Sequence, residues 1–363
     1  MNGRCSCSLL LSVYSSEKMS KISINLVVLN GDKYIEYCLN SILKQSFPHE
    51  QIQINILDNG STDNTRLLIH DFKNKTSNDI FPKVNFIMSD INFGMWGGQE
   101  KLLKYSSDEY VVFLSVDVML DKDFISRAIA ILDADSHIGA VQAKIYQYTA
   151  GEPLTKQIID TCGFEIYRNR RIGNIGHGSP DGEQFNQASE IFGVEGAVPI
   201  FRRQALESIR VMGEIADHDL FWYGEDLDVA WRLHLAGWKQ IYEPSIIAWH
   251  DRGTTKSHTH GSWLKYISRV YIRQQLSIKK RRLEWRNARW TRIKNDYIIN
   301  ILKDLPYILW RETEVLGYTI LFEPIVLKEI PKFLRFLPKM LRKRRAILVR
   351  AVTTPQSIHK FFK

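Results

Sequence analysis

One feature constrains the fold of this sequence more than any other: an alternation that runs from residue 22 to residue 146. Short β-rich apolar runs at 22–29, 52–57, 84–88, 110–116 and 139–146 alternate with segments of helical apolar spacing at 33–45, 62–72, 96–105 and 124–133. Runs that are apolar along their whole length are strands buried on both faces, the signature of a parallel sheet covered by helices. The β-α-β-α order therefore predicts an α/β fold, a doubly wound and mostly parallel sheet with helices on both faces. Ligands of such sheets bind beyond the carboxyl ends of the strands. The polar clusters that follow the strands are Asn30, residues 58–61, residues 90–98 and Asp117.

Each cluster has a chemical reading beside a plain one. Asp58, in Asp-Asn-Gly-Ser-Thr-Asp, can accept the N3–H of a uracil or thymine ring; it can equally hold an Asx-turn that opens the next helix, with Ser61 or Thr62 as N-cap. Asn92 and Gly94 lie in a glycine-rich stretch whose backbone N–H groups can approach phosphate or sugar. The dinucleotide fingerprint G-x-G-x-x-G would have to follow the first strand, and Leu29-Asn30-Gly31-Asp32 stands there instead, which disfavours a dehydrogenase. Asp117, after Ser115, suits a hard divalent cation bridging a diphosphate, or starts a helix. Glu225, Asp226 and Asp228 crowd the start of a helical segment at 227–235 that Gly237 ends. One of them can serve as a general base, or all three can be solvated helix-start acids. Trp222 and Tyr223 precede that segment and Arg232 lies one turn into it, on what is read as the acceptor side, and His250 follows a strand near 240–247. Residues 147–190 are polar and glycine-rich, with Arg168, Arg170 and Arg171, and read as a long loop or hairpin over the site.

Charge divides the chain. Residues 1–250 carry a net −9 and residues 251–363 a net +18. Beyond residue 250 the sheet signal stops and helical segments rich in Trp, Tyr, Leu, Lys and Arg follow, with prolines at 306, 324, 331 and 338. Such a basic amphipathic tail suits an anionic membrane surface; the alternatives are a non-enzymatic module gripping nucleic acid, or a packing or dimerisation face. Four cysteines form no paired framework, and Cys5 and Cys7 lack a second pair for zinc, so a reducing cytoplasm is expected. Residues 1–20 read as a disordered leader, with Met19 a candidate start. No stretch reaches the roughly 18 uncharged apolar residues of a spanning helix, so the chain is expected to be soluble or peripheral on the cytoplasmic membrane face.

In order along the chain, VVLNGDKYIEYCLNSILKQSFP, ILDNGSTDNT, a strand ending FLSVD, GVEGAVPIFRR and YGEDLDVAWRLHLAGWKQIYEP followed by AWH resemble the family 2 glycosyltransferases of the GT-A fold, over roughly residues 21–252. The look is closest to the rhamnosyltransferase-like branch, with its basic helical C-terminus. The resemblance implies a catalytic domain at 21–252 and a helical C-terminal region at 253–363. It implies an inverting transfer from a nucleoside diphosphate sugar, best read as rhamnose from dTDP-rhamnose, to a hydroxyl of a polysaccharide or lipid-linked acceptor. It assigns Asp58 to the nucleobase and Asn30, Asn92, Gly94, Ser115, Gly196 and Ala197 to the donor. Asp117 and His250 fall to a divalent metal, Mg²⁺ or Mn²⁺, and Asp226, beside Glu225, to the base. Two departures stand out. The first Asp of the D-x-D metal motif is Ser115 here. The Q-x-x-R-W motif of processive members is matched only by Arg286-Asn287-Ala288-Arg289-Trp290, read as a chance near-match, so processive synthesis is not expected.

Overall fold

The computed structural model describes residues 21–76, 82–252, 270 and 273–363; the leader at 1–20, with Met19, Cys5 and Cys7, lies outside the described residues. The first half follows the expected alternation: β1 Ile22–Val28, α1 Ile35–Leu43, β2 Ile52–Asn59, α2 Thr65–Lys75, β3 Lys83–Ser89, α3 Gly94–Leu102, β4 Tyr110–Ser115, β5 Val118–Leu120, α4 Phe124–Ala134 and β6 Ile138–Gln147. The segment read as a long loop or hairpin holds short strands, β7 Ile159–Thr161, β8 Phe164–Ile166, β9 Ile172–Asn174 and β10 Ser189–Glu190, with β8 and β9 paired as a hairpin. Then come β11 Ile200–Arg202, α5 Arg203–Ser208, α6 Glu225–Leu235 and β12 Lys239–His250.

The main sheet runs β10-β12-β6-β11-β4-β1-β2-β3, with β5 added to β12 and β7 to β6. β1 is parallel to β2 and β4, β2 to β3, and β6 to β12. β11 alone among the central strands runs antiparallel, to both β4 and β6. That reversal matters for function, because residues 197–199, just before β11, run beside the carboxyl-terminal half of β4. The Ser115 N–H donates to the carbonyl of Ala197 at 2.9 Å, which sets residues 196–197 on the ligand edge.

The strands are buried on both sides, as their unbroken apolar runs require. Ile22, Ile24, Leu26 and Val28 share one cluster with Ile54, Val112, Leu114 and the α1 residues Ile35, Leu39 and Ile42. The opposite face holds Phe113, Trp96 and Phe201 in mutual edge-on contact. At the start of α2 the carboxylate of Asp63, not Ser61 or Thr62, accepts the Thr65 N–H, at 3.0 Å.

The C-terminal region is helical, as expected: α7 Ile278–Asn295, α8 Ile298–Lys303, α9 Leu305–Phe322, α10 Ile330–Leu348 and α11 Pro355–His359. Pro338 does not punctuate it; α10 runs through. The region is not an appendage with a surface of its own. Ile347, Ile358 and Phe362 join Ile166, Phe192, Leu227 and Trp231 in one buried cluster. Many of its charges face inward. Lys294 and Lys343 both pair with Asp217, and Lys339 and Lys343 pair with Asp219. The traffic also runs the other way: Arg170, read as belonging to a loop over the site, is buried against Asp296 and Asp304 of the C-terminal region. Much of the opposite charge of the two halves therefore meets across one seam, which corrects the reading of the +18 as a free surface.

Candidate functional site

Three loops at the carboxyl ends of β1, β2 and β3 are tied together by short side chains. Asn30, in the left-handed region at φ 52°, accepts the Thr62 N–H through its side chain at 2.9 Å, while its own N–H donates to Ser61 Oγ. Asn92 Oδ1 accepts the Gly94 N–H at 2.8 Å and the Asn59 amide at 3.0 Å, and Asn59 Oδ1 accepts the Phe93 N–H in return. Gly94 sits at φ +74°, and a Cβ there would lie 2.9 Å from the Phe221 carbonyl, so only glycine lets these loops meet.

Asp58 is fully buried. One oxygen accepts the Ser61 N–H at 3.1 Å and the other pairs with Arg66 Nε at 2.5 Å. This is the geometry of the Asx-turn, with both carboxylate oxygens engaged within the protein. Arg66, which also reaches the Ser89 carbonyl, is the group the turn presents outward.

At the next strand ends the structure brings the two expected metal ligands together. His250 Nε2 lies 3.4 Å from Asp117 Oδ2, because β5, directly after Asp117, pairs with the last residues of β12. His250 Nδ1 lies 2.9 Å from Asp160 Oδ2. Burial disfavours the imidazolium, but Asp117 and Asp160 outweigh it and hold the His250 pKa up at about 10. No group of three or more His, Cys, Asp or Glu side chains forms a closed cage among the described residues. Asp117, together with His250 once an ion had displaced its ring proton and with Asp160 orienting the ring from behind, would suit a divalent ion whose other ligands are diphosphate oxygens and water. When bound, such an ion would neutralise charge developing on a leaving diphosphate. Ser115 ends β4 half-buried beside Ala197.

Asp160 belongs to a chain of groups that the sequence reading missed. Arg252 pairs with Asp160 at 3.0 Å and with Glu195 at 3.0 Å, and Glu195 Oε2 accepts the Ala197 N–H at 2.9 Å. The signal was present in GVEGAVPIFRR and in the arginine two residues after His250, but no spacing rule connects positions 160, 195 and 252.

This chain leads to Asp226. A Cβ on Gly196 would lie 3.4 Å from Asp226 Oδ2, so the two sit side by side. Burial and the neighbouring Glu195 push the Asp226 pKa up to about 6, with Arg252 pulling against them. Glu225 is pushed further, to about 8, by burial and then by Asp226 and Asp228. Their surroundings thus push the two acids apart, with Asp226 the more readily ionised and so the better placed of the two to take a proton.

Arg232 is buried, pairs with Asp228 at 2.8 Å and donates to the carbonyls of Ile209 and Ile215, so it braces α6. Trp222 and Tyr223 do lie on the loop before α6. Their rings are 4.4 Å apart, and Trp222 keeps 39% of its surface exposed. Phe221 and Tyr223 have φ of 64° and 66°, a conformation that costs of order 1–3 kcal/mol at each non-glycine residue.

The family model for glycosyl transferase family 2 matches residues 23–210. The poly-beta-1,6-N-acetyl-D-glucosamine synthase of Staphylococcus epidermidis is 27% identical over 236 residues, 64% of this chain and 50% of that protein. The chain thus spans about half the length of the curated relatives it matches. S. aureus TarS 1-349 in complex with UDP-GlcNAc has a TM-score of 0.51 at 16% identity, covering 94% of this chain and 92% of that one. GalNAc-T7 with UDP, GalNAc and Mn²⁺ has a TM-score of 0.53 at 13% identity, covering 84% and 58%. At those identities the structures speak for the fold alone. The family match covers more than half of the chain: this protein belongs to the family 2 glycosyltransferases.

Proposed function

We propose that the chain transfers a sugar, with inversion, from a nucleoside diphosphate donor to a carbohydrate hydroxyl, with Asp226 as the base. The observation that carries this is the contact of Asp226 Oδ2 with Gly196, one residue from the Ala197–Ser115 pairing at the sheet edge. The donor's diphosphate would lie at Asp117 and His250 with Mg²⁺ or Mn²⁺. Its sugar would lie at Gly196 and Ala197, and its nucleoside along the loops of Asn30, Asn92 and Gly94. The acceptor would approach across Trp222 and Tyr223, and Asp226 would take the hydroxyl proton as the bond to the diphosphate breaks.

The sugar is read as rhamnose from dTDP-rhamnose, on the rhamnosyltransferase-like pattern of the motifs and the basic C-terminus. A second reading, UDP-GlcNAc, is favoured by the matched poly-N-acetylglucosamine synthases. Thermal shifts with each nucleotide sugar, with and without Mn²⁺ or Mg²⁺, separate them. A saturating donor at about 100 times its Kd should stabilise the fold by about 2.7 kcal/mol, and more weakly without metal. No shift with any nucleotide sugar would sink the reading.

Attachment to an anionic membrane surface, where a lipid-linked acceptor would lie, belongs to this proposal in a narrower form. Supporting it, α10 exposes Leu334, Arg335, Leu341, Arg342 and Arg345 along one side, and none of these arginines has an ion pair among the described residues. No described helix is long and apolar enough to cross a membrane. Flotation with phosphatidylglycerol vesicles is expected to carry the protein up, and Arg335→Glu with Arg342→Glu to leave it at the bottom. Retardation of DNA without flotation would favour the nucleic-acid reading instead.

A further inference from the structure

The segment Arg286-Asn287-Ala288-Arg289-Trp290 lies in α7, directly under the loop that precedes Asp226. Trp290 is fully buried between Leu220 and Met340, with the Arg286 guanidinium 4.3 Å over its ring. Asn287 is also buried, and its amide Nδ2, which carries two hydrogens, lies within hydrogen-bond distance of three successive carbonyls of the loop, Leu220 at 3.0 Å, Trp222 at 2.9 Å and Tyr223 at 2.7 Å, so that one hydrogen is shared. Its Oδ1 accepts Arg286 Nε at 3.1 Å, which orients the amide. Arg286 also donates to the Asp219 carbonyl at 3.3 Å. The segment is packed against the loop at 219–223.

We infer that Asn287 is a positioning residue for the acceptor, acting through the loop it clamps. The reasoning is one of conformation. Phe221, Tyr223 and Gly224 are all left-handed, at φ 64°, 66° and 96°, and the first two are residues that rarely adopt it. Such a loop persists only when its surroundings over-determine it. Its carbonyls point inward, and one buried amide serves three of them. Lys279 over the Phe221 ring and Lys280 over the Tyr223 ring, at 4.9 and 4.3 Å, hold the same loop from the same helix. The loop in turn sets the Trp222–Tyr223 pair and the N-terminus of α6, and its Phe221 carbonyl abuts Gly94 of the donor loop. Helix α7 thus joins the loop before α6 to the loop of Gly94. The link to acceptor binding rests on the function proposed above; the clamp itself does not.

Hydrogen–deuterium exchange on the full chain tests the clamp without substrate. Asn287→Ala is expected to speed exchange at residues 219–224 about tenfold, the worth of roughly one hydrogen bond, with β1 and β2 unchanged. Asn287→Gln retains the amide donor and is expected to restore some of the protection. Unchanged exchange at 219–224, or a rise spread evenly over the chain in both variants, overturns the clamp. With UDP-GlcNAc, Mn²⁺ and a short β-1,6-linked N-acetylglucosamine oligomer, Asn287→Ala is expected to raise the acceptor KM about tenfold while the donor KM stays within about twofold. Equal rises in both KM values overturn the positioning role. A wild-type chain that transfers nothing would instead count against that donor and acceptor, and the exchange result would still decide the clamp.

Discussion

Asp226→Asn is expected to lower the transfer rate by about 10²- to 10⁴-fold while nucleotide-sugar binding stays at the wild-type level. The amide has the shape of the carboxyl, so the contact with Gly196 and the Leu227 N–H bond to Oδ1 survive. What is lost is the lone pair that takes the acceptor proton. The same group sets the pH profile of the wild type. A base must be ionised to act, and the Asp226 pKa is held at about 6 by burial and Glu195. Acceptor-dependent kcat/KM should therefore be level above pH about 7 and fall tenfold per unit below about 6. Full transfer by the Asn variant, measured with the donor identified by thermal shift, would remove Asp226 from the mechanism.

The second large effect concerns the seam between the catalytic body and the C-terminal helices. Asp217 is buried between Lys294 of α7 and Lys343 of α10; Lys343 Nζ lies 2.5 Å from Oδ1, and Lys294 also reaches Asp228 at 2.8 Å. Asp217→Ala leaves two ammonium groups short of their counter-charge in a water-poor place. Breaking a buried ion pair in this way costs about 3–5 kcal/mol, and chemical denaturation should read it as a lower midpoint. A change within about 0.5 kcal/mol, the range of an ordinary surface substitution, would refute it. The pH dependence has a definite sign. Burial opposes the Asp217 charge, but Lys294 and Lys343 hold its folded pKa far below the usual 3.8. Its contribution is therefore complete above about pH 4 and is lost as the pH falls below that. The claim concerns breaking the cluster; replacing all of it by apolar groups is a different experiment with a different expected sign.

Where each region of this protein was legible follows from the range of the interactions involved. The strands and helices of the first half were readable because burial on both faces writes an unbroken apolar run into the local sequence. The polar positions after those strands were readable for the same reason: in a parallel sheet the strand end is the ligand edge. Asp117 was picked out in this way, while Asp226 came from the acids at a helix start and the roles of Gly196, His250 and Asp226 from the family resemblance; the fold brings Asp117 to His250 and Gly196 to Asp226. Choosing between Glu225 and Asp226 was beyond the sequence, since both stand at the same helix start and only their surroundings separate them. The same holds for Arg232, whose partners Ile209 and Ile215 come from the chain before α6.

The charge division marks the limit most clearly. Sequence alone determined that the two ends of the chain carry opposite charge, that the body is a doubly wound sheet, and which strand ends bear chemistry. Only the tertiary structure decided where the charges point. Lys294 and Lys343 find Asp217, and Arg170 finds Asp296 and Asp304, across separations of 77 to 134 residues that no periodicity reports. An ion pair is made by distance in space, and a desolvated one depends on every surface that closes over it. The three carbonyls gathered by Asn287 are the same kind of fact: a backbone bent against its preference, held by a helix more than sixty residues further along the chain.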